Sequence, residues 1–487
     1  MQKIKWNIVW GIFITFAFFF LLLIRLEFFH TNTQSIIPSD QIISSPKSQD
    51  TWMNIYQNGR KIGFVHRIFA NLENKYHFNE TVFMLINTMG VTQALNILTE
   101  GDLNPDMSIS SFNFDLNSNL FRFNARGKVE KNKLILFTGF PGSQEKSEIQ
   151  LKDLPHITGN IYDAAFYTDL GKNEFRSFNI FDPFTLSTKS IKVTRYADEI
   201  IPIMGKRILA KKYCADFMGA KNCAWLGKDG DVLKETGILG LSMVKVSPQK
   251  AREGIVDQGS VDLTRLSSID SNVKITEPDK LKSIKIKIEG IGDLLSLDGD
   301  RQSFRKGILT VTRERLPLSS TFNNVPQKIA AFLKPAPFMQ SDNPEIKDRV
   351  DKIISPADTD EQKARKIVNW VYRNIRKKPV LSVPNALEVL RNKAGDCNEH
   401  SILTVALLRA AGIPAQMEAG LVYLHDRFYW HAWNVLYLGK WITADTVFNQ
   451  LPADVTHIRL VRGDSVEQLN LMGAIGKIKL EVLEQIK

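Results

Sequence analysis

Apolar side chains change their period once along this chain of 487 residues. They alternate with polar ones through the middle and recur at helical spacing beyond Pro344. No single regular element satisfies both patterns, so the chain must divide into a β-rich part and a part that mixes helices with strands.

The alternation is plain in Ser111-Phe112-Asn113-Phe114-Asp115-Leu116 and again in Phe121-Arg122-Phe123-Asn124-Ala125 after Asn117-Ser118-Asn119. These segments predict a hairpin with one buried face. Asn58-Gly59 and Asp229-Gly230 stand between further strand-like runs, where tight type I′ turns want residues that tolerate positive φ. Ile284-Lys285-Ile286-Lys287-Ile288 opens another β segment, which ends near Arg313. Two antiparallel subdomains are expected, near 51–250 and 260–320, with no long helix between 52 and 320. Cys214 and Cys223 lie in the first of these. If Met218-Gly219 is a two-residue turn, they fall opposite one another, close enough to be bridged. Two separate buried thiols are the other reading.

Ahead of the β region, Trp6 to Ile24 runs for nineteen residues without a charged side chain. That length predicts a membrane span. Lys3 and Lys5 before it favour a cytoplasmic N-terminus and a body in the periplasm or outside the cell. A cleaved signal peptide is the alternative, but its apolar region would be shorter and 25–30 lacks small residues for cleavage. Residues 31–50, with two prolines and many Ser and Gln, read as a tether.

Composition narrows the function. The hydrophobic fraction of 44% is that of a globular chain. A net charge of +11 arises from 63 basic and 52 acidic residues without a dense basic run, so no nucleic-acid partner is expected. Three cysteines exclude a disulfide framework and a Cys-rich zinc module.

Beyond Pro344, Thr359-Asp360-Glu361-Gln362 forms a capping box ahead of the apolar stripe Ala364, Ile367, Val368, Val371 and Ile375. The next helix follows from AGDCNEHSILTVALLRAAGIPA: Asp396 caps it, Glu399 stands three positions on, and Gly412 with Pro414 stops it. Cys397 therefore sits in the first helical turn, where unpaired N–H groups favour the thiolate and could hold an oxyanion. Downstream, Trp430–Leu436 and Lys440–Thr446 read as two strands around Tyr437-Leu438-Gly439, which pairs His431 with Asp445 on one face. Asp445 could then fix the imidazole while its other nitrogen faces Cys397, an arrangement of nucleophile, base and orienter. Singly, each residue also has a structural reading, as a small core cysteine, a satisfied strand histidine or the end of a strand. His400 could serve as a base or as half of a C-x-x-H metal pair, but no second pair completes a tetrahedral site. Glu399 is explained by the helix dipole, and His425 and His457 have no evident partner.

Gly395-Asp396-Cys397-Asn398-Glu399-His400, RAAGIPA at 409–415, His431-Ala432-Trp433 and Trp441-Ile442-Thr443-Ala444-Asp445 together resemble the bacterial transglutaminase-like superfamily. The NGRKIGF segment at 58–64, FDPFTLS at 181–187 and AWLGKDGDVLKE at 224–235 are similar to its multidomain, membrane-anchored members. The resemblance implies a papain-like core with Cys397 as nucleophile, His431 as general base and acid, and Asp445 as orienter. The family often has Asp-Pro-Thr where this chain has Asp445-Thr446. It implies acyl transfer through a thioester on a protein or peptide substrate, with hydrolysis favoured over amine cross-linking and no metal or cofactor. A non-catalytic envelope binding or scaffold protein is the competing class. The expected fold class is α+β: a transmembrane helix within 1–30, a linker over 31–50, an antiparallel β domain over 51–250, a small β segment over 260–320 and a transglutaminase-like catalytic domain over 321–487.

Overall fold

The computed structural model describes residues 46–487 apart from 74, 119–121, 140–143, 218–219, 238–239, 256–261, 292–294, 296, 318–324, 381–382, 384, 464–470 and 472. The expected membrane segment, Trp6 to Ile24, lies outside the described residues. Among the described residues no helix is long and apolar enough to cross a membrane. Their longest helix, Asp360–Asn374, has 15 residues. That is about 22 Å against an apolar core of about 30 Å, and six of its residues are charged. The expected fold class is therefore corrected: the structure is β-rich, dominated by one large sheet, and the described residues include no membrane-spanning helix.

That sheet has sixteen strands. A long antiparallel meander, Arg60–Leu72, Lys75–Thr88, Val91–Leu103 and Ile109–Ser118, builds one arm. The arms join where Gln49–Gln57 pairs with Leu241–Val246. Asn58 and Gly59 make the first tight turn with φ of 49° and 80°, the positive values that a two-residue hairpin demands. The sheet curls, since Phe112 and Phe114 of one arm meet Phe181 and Phe184 beside the other at ring separations of 5.1 and 4.8 Å. The short helix Ile161–Tyr167 fills the fold, burying Ala164, Ala165 and Phe166.

Cys214 stands opposite Cys223, and their sulfurs are bonded at 2.04 Å. The Cα separation of 4.0 Å is that of a close cross-strand pair.

The segment Ser283–Glu289 alternates buried isoleucine with exposed charge, as its sequence dictates. It does not close a sheet from local strands alone. Lys479–Ile486, from the far end of the chain, pairs along its edge and completes four strands with Gln302–Arg305 and Ile308–Thr312. Ile269–Asp270 likewise pairs with Phe428 and Arg427 of the C-terminal sheet. Buried Arg301 reaches across to the Ala453 and His457 carbonyls, both at 2.8 Å, and Glu314 accepts from the Thr443 N–H at 2.9 Å. These contacts brace the loops that carry the candidate site.

Candidate active site

Three elements build the site: the helix Cys397–Ala410, the strand Arg427–Tyr437, and the turn that follows the strand Trp441–Ala444. The helix start is fixed by a reciprocal capping box, in which the Asp396 side chain accepts from the Asn398 N–H at 2.8 Å and Glu399 accepts from the Asp396 N–H at 2.9 Å. A side chain at Gly395 would meet the Glu399 Cβ at 2.2 Å, so glycine is needed for the box to close. Ile402 to Leu408 are buried, which anchors the helix. Asn434 clamps the strand onto it by donating to the Ser401 carbonyl at 2.9 Å, and the Thr404 hydroxyl donates to the Thr446 hydroxyl at 3.2 Å. Asn434 and its clamp carry no signal in the sequence.

His431 lies mid-strand, paired with Gly420 on one side. Its Nε2 is 2.7 Å from the Asp445 Oδ2. The register behind this contact differs from expectation: Leu436 pairs with Ile442 and Tyr437 with Trp441, so the loop is Leu438-Gly439-Lys440, and Asp445 has left the strand. A slip of two residues preserves the face of a strand, so the two side chains still converge on a diagonal. Asp445 instead forms a turn, its Oδ1 accepting from the Val447 and Phe448 N–H groups at 2.6 and 3.0 Å. Those bonds hold the loop that proline often stiffens in the family. Asp445 is fully buried, but the adjoining His431 and His457 outweigh desolvation and hold its carboxyl far below the usual range.

Cys397 is half-buried, and the Ala432 backbone beside His431 hydrogen-bonds its sulfur. Burial pushes the thiol well above its ordinary pKa, Asp396 adds to the rise, and the Ala432 contact pulls the other way. The helix start does not outweigh burial here, because Asp396 has engaged the first-turn N–H groups of Asn398 and Glu399 for itself. Asp396 is itself raised by burial and by Glu399.

His400 is buried on backbone carbonyls, Nδ1 at 2.7 Å from the Asp396 oxygen and Nε2 at 3.3 Å from that of Ile375. His425 occupies a positive-φ turn between strands, with Asp426. His457, for which the sequence offers no partner, is the residue that the pattern misses. Its Nε2 is 2.9 Å from the Asp445 Oδ2 and its Nδ1 3.3 Å from the Asp454 Oδ1. Both ring nitrogens face carboxylate oxygens, and only an imidazolium has two N–H groups to give. Although burial opposes charge, Asp454 and Asp445 raise this histidine to about 9. Asp454 is shaped by its own turn, accepting from the Thr456 N–H at 2.8 Å. Stacked on the other side, the Phe448 ring lies 5.1 Å from that of His431.

Among the described residues, His431, Asp445 and His457 are the one set whose ligand atoms, within 4.8 Å of one another, could hold a metal ion. At 2.7 and 2.9 Å their nitrogen–oxygen separations are those of hydrogen bonds, and the carboxylate accepts from both rings.

No curated protein matches the chain. Among solved structures, a candidate cysteine protease from Cytophaga hutchinsonii is 18% identical, covers 41% of this chain and 83% of its own, and superposes with a TM-score of 0.29. A β-barrel-like protein with a domain of unknown function from Brucella abortus is 11% identical, covers 41% and 95%, and gives 0.31. A candidate protease from Parabacteroides distasonis is 12% identical, covers 84% and 71%, and gives 0.21. The model of the transglutaminase-like superfamily core matches residues 347–446, the stretch that carries Cys397, His431 and Asp445, so this chain carries a transglutaminase-like superfamily domain there.

Proposed function

We propose that the chain is a cysteine-nucleophile acyl-transfer enzyme that hydrolyses an amide or peptide bond. The observation that carries this reading is the bond between His431 Nε2 and Asp445 Oδ2, set beside the sulfur of Cys397 at Ala432. With Nε2 committed to Asp445, the Nδ1 of His431 is the nitrogen left to take the thiol proton. The sulfur attacks the carbonyl carbon, the C–N bond breaks, and His431 returns that proton to the leaving amine, giving a thioester on Cys397. Water then attacks the thioester; His431 accepts its proton and passes it to the departing thiol, and a carboxylate leaves. The Cys397 N–H is the helix-start donor that Asp396 does not take, and in this reading it donates to the oxyanion.

A primary amine in place of water would give cross-linking by the same thioester. The disulfide between Cys214 and Cys223 supports a body that works in an oxidising compartment, outside the cytoplasm. The test offers the full chain peptide amides with and without a fluorescent primary amine, with Cys397→Ala as control. Free carboxylate formed without amine incorporation, and lost in the variant, is the expected result. Amine incorporation outpacing carboxylate would make it a transferase. If Cys397 acquires no acyl group from any peptide, the protein is a binding or scaffold protein and the enzyme reading fails.

A further inference from the structure

The large sheet wraps a partly open cavity of about 410 Å³, far from Cys397 in the sequence and built wholly from residues 55–243. Protein interiors are close-packed, with few voids larger than a water molecule. An engineered void of about 150 Å³ already admits benzene, and small-molecule sites begin near 300 Å³. The chamber is lined from one arm by Ile55, Val65, Val82, Met84, Ile97 and Phe114. The other arm and the turn before the short helix close it.

Two polar atoms within it have no partner. The Asn160 Nδ2 is a donor on a side chain that is 4% exposed, and the Asn222 Oδ1 is a buried acceptor. Buried polar groups are costly unless hydrogen-bonded, so an unpaired donor and an unpaired acceptor on two residues lining one largely apolar chamber describe a ligand head that offers the reverse pair. A secondary amide does this through its carbonyl and its N–H. Of the charged groups in the wall, Arg67 donates to Glu80 at 2.7 Å and to Glu235 at 3.1 Å, while Asp182 accepts from the Phe184 N–H at 3.1 Å and the Thr185 hydroxyl at 2.9 Å. One guanidinium stands against three carboxylates, Glu80, Glu235 and Asp182, so the wall holds no spare cation for an incoming anion. An anionic head is disfavoured in such a wall.

We infer that this cavity binds a single apolar chain ending in an uncharged, amide-like head, held between Asn160 and Asn222. The site is separate from the cysteine centre and gives the β region a ligand of its own.

The experiment is calorimetric titration of the full chain with N-octanoyl-, N-decanoyl- and N-dodecanoylethanolamine, and with decanoate, all below micelle formation. Binding should saturate at one per chain and tighten about fifteenfold for each two methylenes until the chamber is full, since each buried methylene is worth about fourfold. Decanoate should bind at least tenfold more weakly than the decanoyl amide. Asn160→Leu should weaken the amide about tenfold and leave decanoate unchanged, and Val82→Trp, which fills the chamber, should abolish binding while thiol labelling of Cys397 persists. Should either variant fail to fold, the series on the unaltered protein decides alone. Absence of saturable binding, or affinity indifferent to chain length, would mean a water-filled chamber and overturn the proposal. Decanoate binding as tightly as the amide would overturn it equally.

Discussion

Replacing His457 by glutamine tests whether the candidate site contains an imidazole that is charged at neutral pH. Both ring nitrogens of His457 face carboxylates, and the group is raised from 6.5 to about 9 against the pull of burial, chiefly by Asp454 and then by Asp445. At about 1.36 kcal/mol per pH unit this is worth about 3 kcal/mol of stability. The depressed carboxyls of Asp445 and Asp454 report the same contacts from the other side, so the energy is counted once. His457 is fully buried and its contacts are little screened. Because the folded pKa is raised, the contribution is fully present below about 6.5 and drains away as pH climbs through about 9.

Glutamine has one amide group to offer and no charge, so it can satisfy one carboxylate while the other stays buried and unpaired. Hydrogen exchange followed over 415–462 reads the effect locally, without assuming that the whole chain unfolds in one step. At pH 6 the variant should exchange more than a hundredfold faster than the parent there, equivalent to about 3 kcal/mol. By pH 9 most of that gap should have closed, because above about 6.5 folding must take up a proton at rising cost, and near 9 half of the folded parent has released it. A gap that stays constant from pH 6 to 9 would refute the reasoning. His457 would then be a neutral ring bonded to one carboxylate.

Asp445→Asn removes the charge between the two rings and should lower turnover by about a thousandfold or more while leaving a residual thiol reaction, measured as kcat against KM with Cys397 labelling in parallel; an unchanged kcat would remove Asp445 from the mechanism. Cys214→Ser with Cys223→Ser opens a link across nine residues of sequence and should cost the β region about 2–3 kcal/mol in chemical denaturation followed by Trp225 fluorescence, with no loss expected if the strand pairing alone fixes that hairpin. Gly420→Ala would set a Cβ 2.0 Å from the Ile458 carbonyl oxygen and 2.9 Å from the Leu460 nitrogen, both backbone atoms that cannot swing aside. It should destabilise the sheet beneath His431 by more than about 3 kcal/mol in thermal unfolding; a small change would mean that strand 458–462 is free to move.

The parts of this site legible in the sequence are those fixed by short-range rules. The capping boxes at Thr359 and Asp396 are contained in four residues each, and both are present. The approach of His431 to Asp445 survives a wrong register because period two forgives an even slip. What the sequence hides is set by contacts between distant segments. The pairing of 49–57 with 241–246 makes one sheet from two arms, and strand 479–486 completes a sheet begun two hundred residues earlier. His457 follows a loop with no periodicity, and only the fold reveals that Asp454 turns it back onto Asp445. The cavity has no sequence signature because its lining is gathered from many separate strands and the turn at 157–162.

The state of the thiol is where local rule and whole structure disagree, and the disagreement can be measured. A helix start is worth roughly 0.3–1 kcal/mol to a nearby anion. Desolvation can move a buried group by several pH units, a larger effect of opposite sign. Here the capping carboxylate also engages two of the first-turn N–H groups, and Asp396 itself adds to the rise. Burial thus favours a resting thiol at Cys397, which predicts that its proton is moved only as the sulfur attacks a bound carbonyl beside His431. A small alkylating reagent, which brings no such carbonyl, should label Cys397 slowly at pH 6 to 7 and faster only as pH rises above the ordinary thiol range. An acyl-type probe that sits at the site should label it at neutral pH and lose that advantage in His431→Ala. Rapid alkylation already at pH 5 to 6 would show a standing thiolate instead, and with it that the imidazole holds the proton before any substrate arrives.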